Sequence, residues 1–147
     1  MTDIVGLKGK YIELYGVEGC STKELAKIED ALNVQLSHDF KKISEFYSGG
    51  FFGGISHHEI AIRGEAANIV QETLRIREAA GLNNEFIVLA EPSGSIIVLD
   101  VRGKSSVIWC DAVEVDCLNT MEFITKPDIR ESYASFFLHL LNQEDQG

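Results

Sequence analysis

The stretch Phe86–Cys110, FIVLAEPSGSIIVLDVRGKSSVIWC, decides how the rest of the chain is read. Phe86 to Ala90, Ser95 to Val101 and Ser106 to Cys110 are apolar runs rich in β-branched and aromatic residues, the composition of buried strands. Between them, Glu91-Pro92-Ser93-Gly94 puts proline second and glycine fourth, as a type I turn favours, and Arg102-Gly103-Lys104-Ser105 supplies another glycine turn. Connections this short leave no room for the helix of a parallel crossover, so the reading is an antiparallel meander. Ala112 to Val115 is expected to add a strand.

Helices flank this block. Ser21 and Glu24 have the S-x-x-E spacing of a capping box, and Leu25, Ile28 and Leu32 follow at helical spacing. A second short helix is expected with Ser37 as N-cap and Phe40, Ile43, Phe46 and Tyr47 on its buried side. Ahead of both, Tyr11 to Tyr15 alternates as a short strand would. Ile60 and Ile62 give Ile55 to Ile62 a period of two, the mark of a strand with one wet face. Glu65 to Ala80 turns helical, with Ala66, Ile69, Val70, Thr73, Leu74 and Arg77 on one side, Ile76 off that stripe and Gly81 as C-cap. Tyr133, Phe136, Phe137, Leu140 and Leu141 fit the full amphipathic template, with Asp128 or Ser132 as N-cap, and Gln143 to Gly147 reads as a fraying tail. Strands gathered between helices make this an α+β chain. The expectation is a single domain over 1–147, its antiparallel sheet of about four to six strands flanked by N-terminal, middle and C-terminal helices.

The totals narrow the chemistry. Thirteen basic residues against twenty-three acidic ones give a formal charge of −10. Such a field repels nucleic acid and anionic membrane and favours a basic partner. No apolar run reaches the roughly 18 to 20 residues of a spanning helix, and the N-terminus lacks a basic start followed by an apolar block, so the expected location is cytoplasmic. Cys20, Cys110 and Cys117 form no C-x-x-C pair and read as reduced, with Cys110 in the core.

Each motif that invites a chemical reading fails on context. SGGFFGGIS, Ser48 to Ser56, follows a helix and holds no lysine, whereas a phosphate loop follows a strand and ends in G-K-[ST]. Gly49-Gly50 reads instead as a C-cap and Gly53-Gly54 as the bend that opens the next strand, with Phe51 and Phe52 packed to anchor the turn. Gly103-Lys104-Ser105 has a phosphate-loop ending, but the required first glycine would fall at Val98 and a strand follows. His57 and His58 are neighbours on an expected strand and point to opposite faces, so they do not share an ion, and His38 and His139 are isolated. With no G-x-S-x-G elbow and no paired acids singled out, no catalytic residue, metal or cofactor is assigned. What remains is a mixed patch: Asp111, Glu114, Asp116 and Glu122 interleaved with Val113, Val115, Leu118, Met121 and Phe123, with no basic residue from Cys110 through Phe123. It could receive a basic, partly apolar protein partner; the plainer reading is a sheet-edge strand with alternating solvent-facing acids.

The order of features resembles the SUKH superfamily, the Smi/Knr-type group. Ile28-Glu29, Leu32, Leu36, the aromatic second helix with Phe40 and Phe46, and Ser48-Gly49-Gly50 resemble its opening pattern. Phe86 to Ala90 and Ser95 to Asp100 resemble its later strands, and Ser135-Phe136 its C-terminal helix. Ser37 stands where the family usually has proline, and Ser48 where it usually has asparagine. The resemblance spans about Cys20 to Leu141 and makes Glu29, Gly49, Gly50, Asp100 and Phe136 structural motif positions. It implies a non-enzymatic intracellular binding protein. The first expectation is an immunity protein that neutralises a polymorphic toxin, with a nuclease as the first choice; the alternative is a regulator or scaffold of the cell-wall-assembly type. On either reading the partner is a protein, the chain is a monomer or weak homodimer, and the expected contact residues are Asp111, Glu114, Asp116, Glu122, Phe51 and Phe52.

Overall fold

A computed structural model describes every residue except Met1, Thr2, Arg63, Glu65, Ala66, Lys104 and Gly147, and describes the backbone alone for 144–146. Its centre is one six-stranded sheet in the order β1-β2-β3-β4-β5-β6, antiparallel throughout. The three strands read from sequence are β3 (Phe86–Ala90), β4 (Ser95–Asp100) and β5 (Val107–Asp111). β3 is buried along its whole length, because alternate residues serve two cores. Ile87, Leu89, Ile97, Leu99 and Val107 face one of them. Phe86, Val88, Ile96, Val98, Ile108 and Cys110 face the other, which Ile76, Leu82 and Leu118 complete. A bulge shifts the β3–β4 register between Val88 and Ala90, and the Val88 N–H donates to the Thr73 hydroxyl at 2.9 Å.

The larger core is helical on its far side. α1 (Ile4–Tyr15) replaces the strand expected over Tyr11 to Tyr15. Two glycines at Gly6 and Gly9 weaken the helical signal, but Leu7 and Tyr11, one turn apart, are the residues it buries. The Tyr11 ring stacks on Tyr15 at 4.9 Å and meets Phe46, Tyr47, Phe52 and Phe137 at 5.5–5.6 Å. These aromatic contacts fix a segment whose local propensity is poor. α2 (Thr22–Leu32) has both halves of its capping box, Glu24 N–H to Ser21 Oγ at 3.1 Å and Ser21 N–H to Glu24 Oε1 at 2.9 Å. α3 (His38–Ser44) is capped by Ser37 and ends before Phe46 and Tyr47, which are nonetheless buried.

Gly49 and Gly50 are therefore not the C-cap of α3, which ends at Glu45. Gly50–Phe52 is strand β1 and Ile55–His57 is β2, so the glycine-rich stretch is a two-residue hairpin. Gly53 and Gly54 are its turn, with φ of 65° and 76°, the paired positive angles that favour Gly-Gly. Beyond His57 the strand expected to reach Ile62 stops; Ile60 is buried and Ile62 exposed. α4 (Ile69–Ala80) starts at the buried cap Asn68, later than expected, and the expected positions Glu65 and Ala66 lie outside the described residues. Ile69, Val70 and Thr73 are buried as expected, but Ile76, expected off the stripe, is buried too and Leu74 is exposed. Gly81 is the C-cap.

Ala112–Asn119 is a 3₁₀ segment with a kink at Glu114, where another strand was expected. Strand β6 (Asp128–Arg130) then pairs with β5, and α5 (Tyr133–Gln146) closes the larger core with Tyr133, Phe136, Phe137, Leu140 and Leu141. Ser132 Oγ accepts from Ser135 N–H at 3.1 Å; Asp128 belongs to β6. Asp39, on α3, accepts from Ala134 N–H at 2.9 Å, so α5 takes one cap from its own chain neighbour and another from across the core. The backbone of 143–146 is part of α5.

Candidate binding surface

Glu114 joins the 3₁₀ segment to the turn that leads into β6. Its carboxylate is turned inward, with the residue only 6 % exposed. Oε1 accepts from the N–H of Ile124 at 2.6 Å and from Thr125 at 3.3 Å. A carboxylate holding two backbone donors staples the 120–127 turn to the 3₁₀ segment. Glu114, one of the expected contact residues, is thus turned inward, its oxygens engaged by backbone amides and covered. Stapling the backbone at Ile124 leaves the side chain outside: Ile124 is 95 % and Val113 90 % exposed.

Met121, Phe123, Ile124, Lys126, Pro127 and Ile129 line a groove of about 350 Å³. Met121, at φ 58°, and Ile129 are also exposed. Exposed branched aliphatics collected at the edge of a sheet are the kind of patch that marks an interaction site. On the same stretch of chain Asp116 and Glu122 are exposed, and Asp111, at the end of β5, is half-buried. Arg130 is paired with Asp128 at 3.5 Å.

The aromatic residues expected to join this surface do not. Phe52 is 1 % exposed and packs on Tyr11, Tyr47 and Phe137, so it is core. Phe51 is 73 % exposed, but it lies on β1, the edge strand opposite β6. Five strand spacings of about 4.8 Å separate those edges by roughly 24 Å. Ile124 and Ile129 were missed because the apolar alternation was followed only as far as Phe123, and a three-residue strand leaves no period to detect.

The structural motif positions find plain roles. Glu29 Oε2 accepts from Leu36 N–H at 2.8 Å and pairs with Lys41 at 3.3 Å, closing the α2–α3 connection. Gly49 and Gly50 have φ of 102° and 96°, Asp100 holds Arg102 at 3.0 Å, and Phe136 is buried. His57 and His58 diverge: His57 donates from Nε2 to the Phe52 carbonyl at 3.1 Å, and burial pushes its pKa down to about 4, while His58 reaches Glu91. Cys20, Cys110 and Cys117 are not in disulfides, and burial raises the Cys110 thiol to about 11, far from a reactive thiolate. The turn containing Gly103 and Ser105 runs into β5, not into a helix; Lys104 lies outside the described residues.

Exposed aliphatic side chains and exposed carboxylates share the stretch from Asp111 to Ile129. The SUKH_5 family, described as SMI1-KNR4 cell-wall, matches residues 2–122, and the chain belongs to that family within the SUKH superfamily. No curated protein matches the chain. SUKH proteins form a general immunity or regulatory class; they bind protein partners and are in general not enzymes. The matched region takes in α1, which the sequence motifs had not reached, and ends ahead of β6 and α5. Among the described residues, no helix is long and apolar enough to cross a membrane.

Proposed function

We propose that this protein is an immunity protein that works in the cytoplasm by binding the basic catalytic domain of a cognate polymorphic toxin, a nuclease being the first expectation. Val113, Met121, Ile124 and Ile129 would form the dry centre of the contact, and Asp111, Asp116 and Glu122 its electrostatic rim. The observation that carries the reading is the near-complete exposure of Val113 and Ile124 on an edge held rigid by Glu114. The overall charge of −10 supports it, since a nuclease site is electropositive to hold phosphate and an acidic inhibitor is steered toward it. Family membership supplies the class, and charge and surface make the toxin-neutralising branch the better fit.

The test is co-expression with the toxin domain encoded by a neighbouring gene. Cells should survive only when this chain is present, and the two proteins should elute together in gel filtration. Equal killing with and without it, and no complex, would overturn the immunity reading and leave the regulatory one.

A further inference from the structure

Three donors of metal-ligand type converge from three parts of the fold. His58 follows β2, Glu72 is on α4 and Glu91 follows β3. Their donor atoms lie within 4.8 Å of one another, and all three residues are partly buried. His58 Nε2 is 2.9 Å from Glu91 Oε2. The Arg75 guanidinium, one turn along α4 from Glu72, donates from Nη2 to Glu91 Oε1 at 2.6 Å and from Nε to Glu72 Oε1 at 2.9 Å.

We propose that His58, Glu72 and Glu91 form a binding site for a divalent cation of the zinc class, with the Arg75 guanidinium as its built-in competitor. One imidazole and two carboxylates are a donor set that zinc accepts, with a fourth position left to water. Ligand bonds of about 2.0–2.1 Å require the donors to close to roughly 3.3 Å apart. Side-chain torsions can supply that movement, since both glutamates have access to solvent and the backbone is already fixed. His58 N–H donates to the Leu89 carbonyl at 3.0 Å, and the two glutamates sit on a capped helix and a tight turn. Arg75 is half-exposed, so its guanidinium can leave toward solvent when a dication arrives. The two states then differ in what ties the segment after β2, α4 and the β3–β4 turn together: an arginine in one, a metal in the other.

The arginine makes the site testable against the plainer alternative of an ion-pair network with no metal function. Zinc is titrated into the full chain by calorimetry at neutral pH in a non-chelating buffer, with folding of each variant checked by circular dichroism. One zinc per chain is expected. His58→Gln and Glu91→Gln should each weaken binding by about tenfold or more. Arg75→Gln should tighten it by about threefold or more, because it removes a cation that must be displaced and leaves the ligands in place. Cobalt substitution should give the spectrum of nitrogen and oxygen ligands without thiolate charge transfer, which separates this site from adventitious capture at Cys117. No binding by both the wild type and Arg75→Gln overturns the proposal. So does zinc binding that His58→Gln leaves unchanged.

Discussion

Gly49 and Gly50 are adjacent, both have positive φ, and yet they impose different demands. A Cβ on Gly49 would stand 2.5 Å from the His58 carbonyl oxygen and 2.9 Å from the Glu59 Cα, both backbone atoms that cannot yield; a Cβ on Gly50 meets nothing within 4 Å. Gly50→Ala therefore carries only the conformational penalty of its φ and should cost about 1–2 kcal/mol in urea denaturation. Gly49→Val adds a backbone collision that parts β1 from the segment after β2, and should cost upwards of about 3 kcal/mol or leave the chain insoluble. Glu114 gives the second residue-scale test. Glu114→Ala removes the acceptor for the Ile124 and Thr125 amides, and a loss of about 2–3 kcal/mol is expected. Hydrogen exchange at those two amides should accelerate well beyond that of the β4 strand. If Glu114 were instead a surface contact, neither stability nor exchange would move.

Between elements, the telling contact is Asp39. Its Oδ2 accepts from Ala134 at the start of α5, and its Oδ1 receives the Ser37 hydroxyl at 2.7 Å, so one side chain joins the beginnings of α3 and α5. Asp39→Ala leaves an amide of α5 without its acceptor and should cost about 1–2 kcal/mol, with faster exchange at Ala134, while α2 and its separate capping box stay protected. Elements of this kind were legible only where the signal is local. The capping box at Ser21, the amphipathic repeat from Tyr133 to Leu141 and the three strands from Phe86 to Cys110 are each specified within their own sequence, and each is where the sequence put it. α1 was not legible because its helix depends on Tyr11 meeting Phe46, Phe52 and Phe137, partners between 35 and 126 residues away along the chain. β1 and β6, three residues each, owe their existence to pairing with β2 and β5 and carry no period of their own. At the surface the composition singled out the acids and aliphatics after Cys110 but not which of them face out; Glu114 has the same sequence surroundings as its acidic neighbours, and only the fold brings the 124–125 amides to it.

For the whole molecule, the charge of −10 and the exposed apolar patch make separable predictions. Changing Asp111, Asp116 and Glu122 to lysine turns three negative charges into three positive ones and takes the formal charge from −10 to −4. On the proposed function these groups lie at the rim of the contact, so the variant should associate more slowly with the proposed toxin domain, with a flatter dependence of the rate on salt and a smaller change in the dissociation rate. The patch acts on the other step. Val113→Ser with Ile124→Ser removes apolar surface that is already in water in the free protein, so thermal stability should stay within about 0.5 kcal/mol of the parent. The complex should then dissociate at least about tenfold faster, because the dry centre of an interface governs how long it lasts. The two variants together place the partner. A toxin domain whose association rate ignores the acid reversals and whose dissociation rate ignores the serine pair does not dock at this edge of the sheet, whatever its affinity for the rest of the molecule.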